Sequence, residues 1–329
     1  MEKRIAAAAL ALLMVGCTPQ PAPPSEPGTE PTPTPTATAT PTATPTAGPS
    51  PWDDEQLPYP RPVRGLLTEG TNAAGVVDVL HRAAARLPVL KVDVTTTQAT
   101  LTALTPDEDV VSFRWSEGVV DAATTDFQYL GQATFDPADF PLASIGRMFD
   151  VADLRGVHGE PIYQVQEYRE GVVMQTVSSL PETATVFFRL DGTAVPFLGV
   201  TSAVDIADGF DAVTDELDLI HQFGFTDERG YWATYPEGDE ARTRIRLGGV
   251  PAYEIPATEA ELPQAYNPAL IDPAVISMVL SRHRDDPEQP CEVAVDMSLR
   301  RSAPVMEVLC DAETFYADLD GRDMTDLIG

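Results

Sequence analysis

One stretch of this chain occurs twice, and that limits its possible folds more than any other feature. Residues 91–104, beginning Lys91-Val92-Asp93-Val94, align without a gap on residues 222–235, beginning Gln222-Phe223-Gly224-Phe225. The offset, 222 minus 91, is 131 residues, and Phe135-Asp136-Pro137 falls on Tyr266-Asn267-Pro268 at the same offset. The expectation is a tandem duplication.

Hydrophobic periodicity fills in each copy. Val76, Val77, Leu80, Ala84 and Leu87 recur at helical spacing over residues 72–87, with Asn72 as a candidate cap. Residues 89–94 and 99–104 alternate as a hairpin, and residues 110–115 make a third strand stopped at Glu117-Gly118. The order repeats: a helix through Leu142, Ile145, Met148 and Phe149 precedes strands at 162–168, 172–178 and 185–190, the last ending at Asp191-Gly192. A third unit has Val204, Ile206, Phe210 and Val213 on its helix, and a fourth has Val275, Ile276, Val279 and Leu280. Each helix-plus-three-strand unit of roughly 65 residues is marginal alone, so pairing into longer sheets is expected. The fold class is α+β, with antiparallel sheets and helices on one side, in four units grouped as two pairs. In element order this resembles the tandem helix-on-sheet modules of PepSY-like domains and of secreted β-lactamase inhibitor proteins, which implies an inhibitor of a secreted enzyme as one function to weigh.

The N-terminal segment points outside the cell. Lys3 and Arg4 precede an apolar run over residues 5–15, the length of a signal-peptide core and too short to span a bilayer. It closes Leu13-Met14-Val15-Gly16-Cys17, which resembles the lipobox of bacterial surface lipoproteins, with Met14 where Leu is usual. The resemblance implies removal of residues 1–16 and lipidation of Cys17; the alternative is an ordinary secretory signal with an incidental Cys. Of the 33 residues from 18 to 50, 11 are Pro and 10 are Thr. Such a segment favours polyproline II, and residues 17–60 would reach on the order of 100 Å. It is similar to the O-glycosylated stalks of Gram-positive actinobacteria. The expected layout is thus leader 1–16, lipid-anchored stalk 17–60, first half 61–198 and second half 199–329, on the extracytoplasmic face of the membrane.

Charge excludes one class of partner. The chain carries 51 acidic against 21 basic residues, a formal −30, and only two lysines, Lys3 and Lys91. A nucleic-acid binder needs a cationic face, which this balance argues against. A repulsive, well-solvated surface, a cationic partner and a calcium site all remain compatible with it.

Cys291 and Cys310 are a disulfide candidate in an exported protein. A hairpin turning at Arg300-Arg301 pairs residues whose numbers sum to 601. Cys291 then faces Cys310, Val293 faces Val308, Val295 faces Met306 and Met297 faces Pro304. Closing that loop should add about 3 kcal/mol.

Active-site signals are poor. His81, His158, His221 and His283 have no His partner at the 131-residue offset and no metal-ligand spacing. Asp318-Leu319-Asp320-Gly321 outlines a calcium loop, but its first ligand position would be Tyr316, so it reads as a turn. No catalytic residue, metal site or cofactor is assigned. Arg242, Arg244 and Arg246 alternate along one strand and should line one face. Aligning Pro236 on Pro106 places them opposite Ser112, Arg114 and Ser116 of the first half, with Thr243 and Ile245 inward. They would hold an anion, such as a cell-wall polymer or an acidic extracellular protein, unless neighbouring acids neutralise them. Trp115 and Trp232 fall on apolar faces and read as core. The reading is a membrane-tethered, non-enzymatic binding or scaffold protein; a carboxylate-dependent envelope hydrolase and an inhibitor of a secreted enzyme are the alternatives.

Overall fold

The computed structural model describes residues 57–259, 261–286 and 288–328. Cys17, the leader and the stalk through residue 56 lie outside them. Residues 57–60, expected to be the end of a stalk, belong to the fold. β1 (Tyr59–Pro60) pairs with Val119 and Val120, and Leu57 packs against the first core.

In chain order there follow α1 (Asn72–Ala83), β2 (Val89–Val94), β3 (Gln98–Leu104), β4 (Val110–Ser116) and β5 (Val119–Ala123). α2 (Ile145–Asp153), β6 (Glu160–Arg169), β7 (Val172–Leu180) and β8 (Val186–Phe188) complete the first sheet, ordered β1-β5-β4-β3-β2-β6-β7-β8. The second group is α3 (Ala203–Thr214), β9 (Gln222–Thr226), β10 (Gly230–Glu237), β11 (Glu240–Arg246) and β12 (Tyr253–Pro256). It continues with α4 (Pro273–His283), β13 (Glu292–Asp296), β14 (Val305–Cys310), β15 (Glu313–Ala317) and α5 (Thr325–Ile328). Its order is β12-β11-β10-β9-β13-β14-β15. All pairings are antiparallel, and the fold is α+β.

Two expectations need correction. Glu117 and Gly118 do not end a three-strand unit. Both adopt left-handed φ, 52° and 79°, and turn the chain into β5, as a two-residue hairpin requires. β12 is likewise a fourth strand, so the first unit of each pair has four strands and the second has three. Helix α1 stops at Ala83, short of Leu87. Ala85 and Arg86 are left-handed, and Pro88 disfavours helix at the residue before it.

One face of each sheet is covered by helices. Val76, Val77 and Leu80 of α1 and Ile145 and Met148 of α2 join Val92, Leu101, Phe113 and Val165 in the first core. Ile206 and Phe210 of α3 and Ile276 and Leu280 of α4 join Phe223, Tyr231, Val295 and Met306 in the second. The cysteines pair as the hairpin arithmetic requires: Cys291 and Cys310 form a disulfide with Cα atoms 4.7 Å apart, beside Val293–Val308 and Val295–Met306. On the faces away from the helices the sheets meet each other. Val172, Met174 and Phe187 pack against Trp232, Ile245 and Tyr253, and Tyr168 sets its ring edge-on to Phe187 and Tyr253.

The central hairpins match in position but not in register. Val92 lies opposite Leu101, whereas Phe223 lies opposite Ala233, so the β9–β10 connection is one residue longer than the β2–β3 connection. Leu101 therefore corresponds to Ala233, and the gapless alignment slips by one from that turn onward. Trp232 is turned to the opposite face, where its ring lies over Gly224; a Cβ there would stand 2.5 Å from its Cζ2. Arg229 stacks 4.3 Å above the same ring.

Candidate functional site

The slip in register decides where the arginines point. Row by row, Val92–Leu101–Phe113 in the first sheet corresponds to Phe223–Ala233–Arg244 in the second, and Val94–Ala99–Trp115 to Phe225–Tyr231–Arg246. Arg242, Arg244 and Arg246 do share one face, but it is the face that carries the helices. They occupy the rows of Val111, Phe113 and Trp115, not those of Ser112, Arg114 and Ser116. Pro106 lies in the loop before β4 while Pro236 is within β10, so the two prolines are not equivalent landmarks. The opposite faces of the two sheets share one contact in matching rows, the buried hydroxyl pairs Thr102–Ser112 and Thr234–Thr243, at 3.3 and 3.1 Å.

Replacing an apolar row by guanidinium groups changes what can fill the space under α3. The Phe113 and Trp115 rings close the first core, and Trp115 donates its indole N–H to Arg61 O at 2.8 Å. In the second half a cleft of about 950 Å³ opens along α3, β11 and β12. One wall is α3 and its C-terminal end, with Asp208, Asp211, Ala212, Asp215 and Glu216. Asp208, Asp211 and Asp215 follow helical spacing and are exposed. The facing wall is Arg244, Arg246, Ala252 and Glu254, and the chain entering from β8 adds Arg189 and Pro196.

Two of the three arginines are neutralised internally. Glu254 is the cross-strand neighbour of Arg244 and accepts from its Nε at 2.8 Å. Arg244 also donates to Asp215 O at 2.7 Å and lies over the Tyr235 ring. Arg242 reaches Glu237 at 3.7 Å and Glu254 at 3.8 Å. Partial burial works against ionisation of Glu254, yet the hydrogen bonds from Arg244 and Tyr235 outweigh it and hold the carboxyl below the usual range.

Arg246 differs. It is 3% exposed, and among the described residues no carboxylate pairs with it. Its guanidinium donates to the backbone oxygens of Leu247, Gly248, Val250 and Pro196. The turn after β11 wraps the head group because Gly248 adopts a left-handed φ of 45° and Val250 N–H closes on Leu247 O. Burial first, then repulsion from Arg189, pushes its pKa down to about 10. Arg189 itself is exposed, with no carboxylate at ion-pair distance among the described residues.

The remaining candidates are scattered. His81 meets Leu87 O at 3.0 Å, His158 lies 3.3 Å from Asp153, His221 meets Pro263 O, and His283 stacks on Phe315. Among the described residues no cluster of three or more His, Cys, Asp or Glu is placed to hold a metal ion. Asp318 accepts from the N–H groups of Asp320 and Arg322, which makes that loop a closed turn. No described helix is long and apolar enough to cross a membrane. Sequence reasoning missed Glu254, Arg189 and the acidic face of α3. The last was legible as Asp at 208, 211 and 215, while the approach of Arg189 to β11 has no local signal. Set against known proteins, the chain matches no family model and no curated sequence.

Proposed function

We propose that this chain is a lipid-anchored envelope protein, fixed through Cys17 and held out on its Pro/Thr-rich stalk, whose tandem α+β module binds a ligand in the cleft between α3 and β11–β12. Apart from β1, the two sheets share one strand order, which fits an ancestral duplication. In this reading the second copy exchanged an apolar row for arginines and gained a cleft. The cleft carries the reading: its polar lining contrasts with the packed counterpart in the first core. The buried Cys291–Cys310 bond supports an oxidising, extracytoplasmic location. Glu254, held ionised by its arginines, suits a clamp and not a general acid, which favours binding over hydrolysis.

The test uses the full-length chain in detergent as bait for solubilised envelope fractions, beside an Ala212→Trp variant that fills the cleft. A component retained by the parent and lost by the variant is the expected result. Equal recovery, with both proteins unfolding at the same temperature, refutes the cleft as the seat. Metabolic labelling with a fatty-acid analogue tests the anchor, which Cys17→Ser should abolish.

A further inference from the structure

We infer that the cleft takes a short peptide with a free terminal carboxylate and basic side chains, the carboxylate seated beside Arg189 and Arg246 and the basic groups along α3. This rests on the cleft being the ligand seat. Arg242 and Arg244 share Glu254, so their charge is largely spent. Arg246 is buried against carbonyl oxygens alone, and Arg189 lies near enough to lower its proton affinity. Arg189 and Arg246 both line the cleft, and among the described residues neither makes an ion pair. An oxyanion placed there would relieve the repulsion, and guanidinium groups are suited to a carboxylate.

The rest of the lining fixes the remainder of the ligand. Five carboxylates against three guanidinium groups leave the cleft net negative, which disfavours a dianionic phosphate. Asp208, Asp211 and Asp215 make no ion pair among the described residues. From Asp208 to Asp215 the helical rise amounts to about 10 Å. That is close to three residues of extended chain, so basic side chains at alternate positions would track the acidic face. A single negative charge at one end and positive charges along the other wall match the site; a uniformly anionic or apolar ligand does not.

Isothermal titration of the full-length chain in detergent with trilysine, as the free acid and as the C-terminal amide, is the test. The free acid should bind about tenfold tighter than the amide. Arg189→Glu should erase that difference even though it makes the protein more negative, so that simple attraction of a polycation predicts the opposite. Asp211→Asn should weaken both forms by a similar factor. Equal binding of acid and amide, a difference that survives Arg189→Glu, or no binding of either at millimolar concentration overturns the proposal. If neither form binds while Ala212→Trp still costs an envelope component, the ligand class falls and the cleft stands. If Ala212→Trp also costs nothing, both fall.

Discussion

Replacing Gly209 by alanine should destabilise the protein, although helix propensity alone says the reverse. Gly209 lies within α3, where alanine gains about 1 kcal/mol over glycine. A Cβ at this position would stand 2.4 Å from Cδ2 and Cε2 of Tyr231 and 2.5 Å from Cζ. Carbon atoms in contact sit about 3.5–4.0 Å apart, so three ring atoms would overlap by more than an ångström. The ring has no room to yield. Tyr231 is fully buried, its ring is 5.1 Å from that of Phe225, and its hydroxyl donates to Gly199 O at 2.8 Å. Overpacking costs about 1–3 kcal/mol, and losing the hydroxyl bond about 1 more. Net of propensity, the loss is about 1–3 kcal/mol, or a fall in Tm of about 2–10 °C for a chain of this size. Gly75 in α1 is the control, because a Cβ there meets nothing within 4 Å. Urea denaturation should show Gly75→Ala raising the midpoint and Gly209→Ala lowering it. A rise in both would refute the claim that Tyr231 sets the distance between α3 and the sheet.

Cys310→Ala should cost about 3 kcal/mol, the loop-closure contribution of the lost bridge, read as a lower denaturation midpoint; intact-mass thiol counting of the parent should find neither Cys291 nor Cys310 free. Glu254→Gln should flatten the acid limb of stability. Its folded pKa is depressed, so its contribution is present above the unfolded carboxyl value near ~4.3 and is lost as pH falls through the folded value. Because Glu254 is a third exposed, solvent screening holds the effect to about 1 kcal/mol or less. Tm profiles of parent and variant should therefore separate at neutral pH and converge below about pH 4.

What the sequence made legible followed from periodicity. The four main helices and the Cys291–Cys310 hairpin are set by spacing that repeats over many residues, and each lies on its apolar-periodic stretch, with α1 ending a turn early. β5 and β12 escaped because each is short and buries few side chains: Val120 in β5 and Tyr253 in β12. The arginine face was inverted for a different reason. A single extra residue in one turn reverses every later side chain in a strand, since the pleat has period two. Gap placement therefore has to follow burial, and three consecutive arginine-bearing rows hide that signal. Their heads are held by Glu254 and by backbone carbonyls supplied from Pro196 and from the turn after β11, partners brought together only by the fold.

The short strand at Tyr59–Pro60 has a consequence for how neighbouring copies of the protein coexist. Arg61 N–H is spent inward on Gly118 O, and Tyr59 pairs inward with Val120. The alternate positions, Pro58, Pro60 and Pro62, own no amide hydrogen to offer outward. A growing ribbon of molecules would need donors along that border, and among the described residues the rim at β1 supplies none. Proteins crowded side by side would slide past one another there and not zip into fibres.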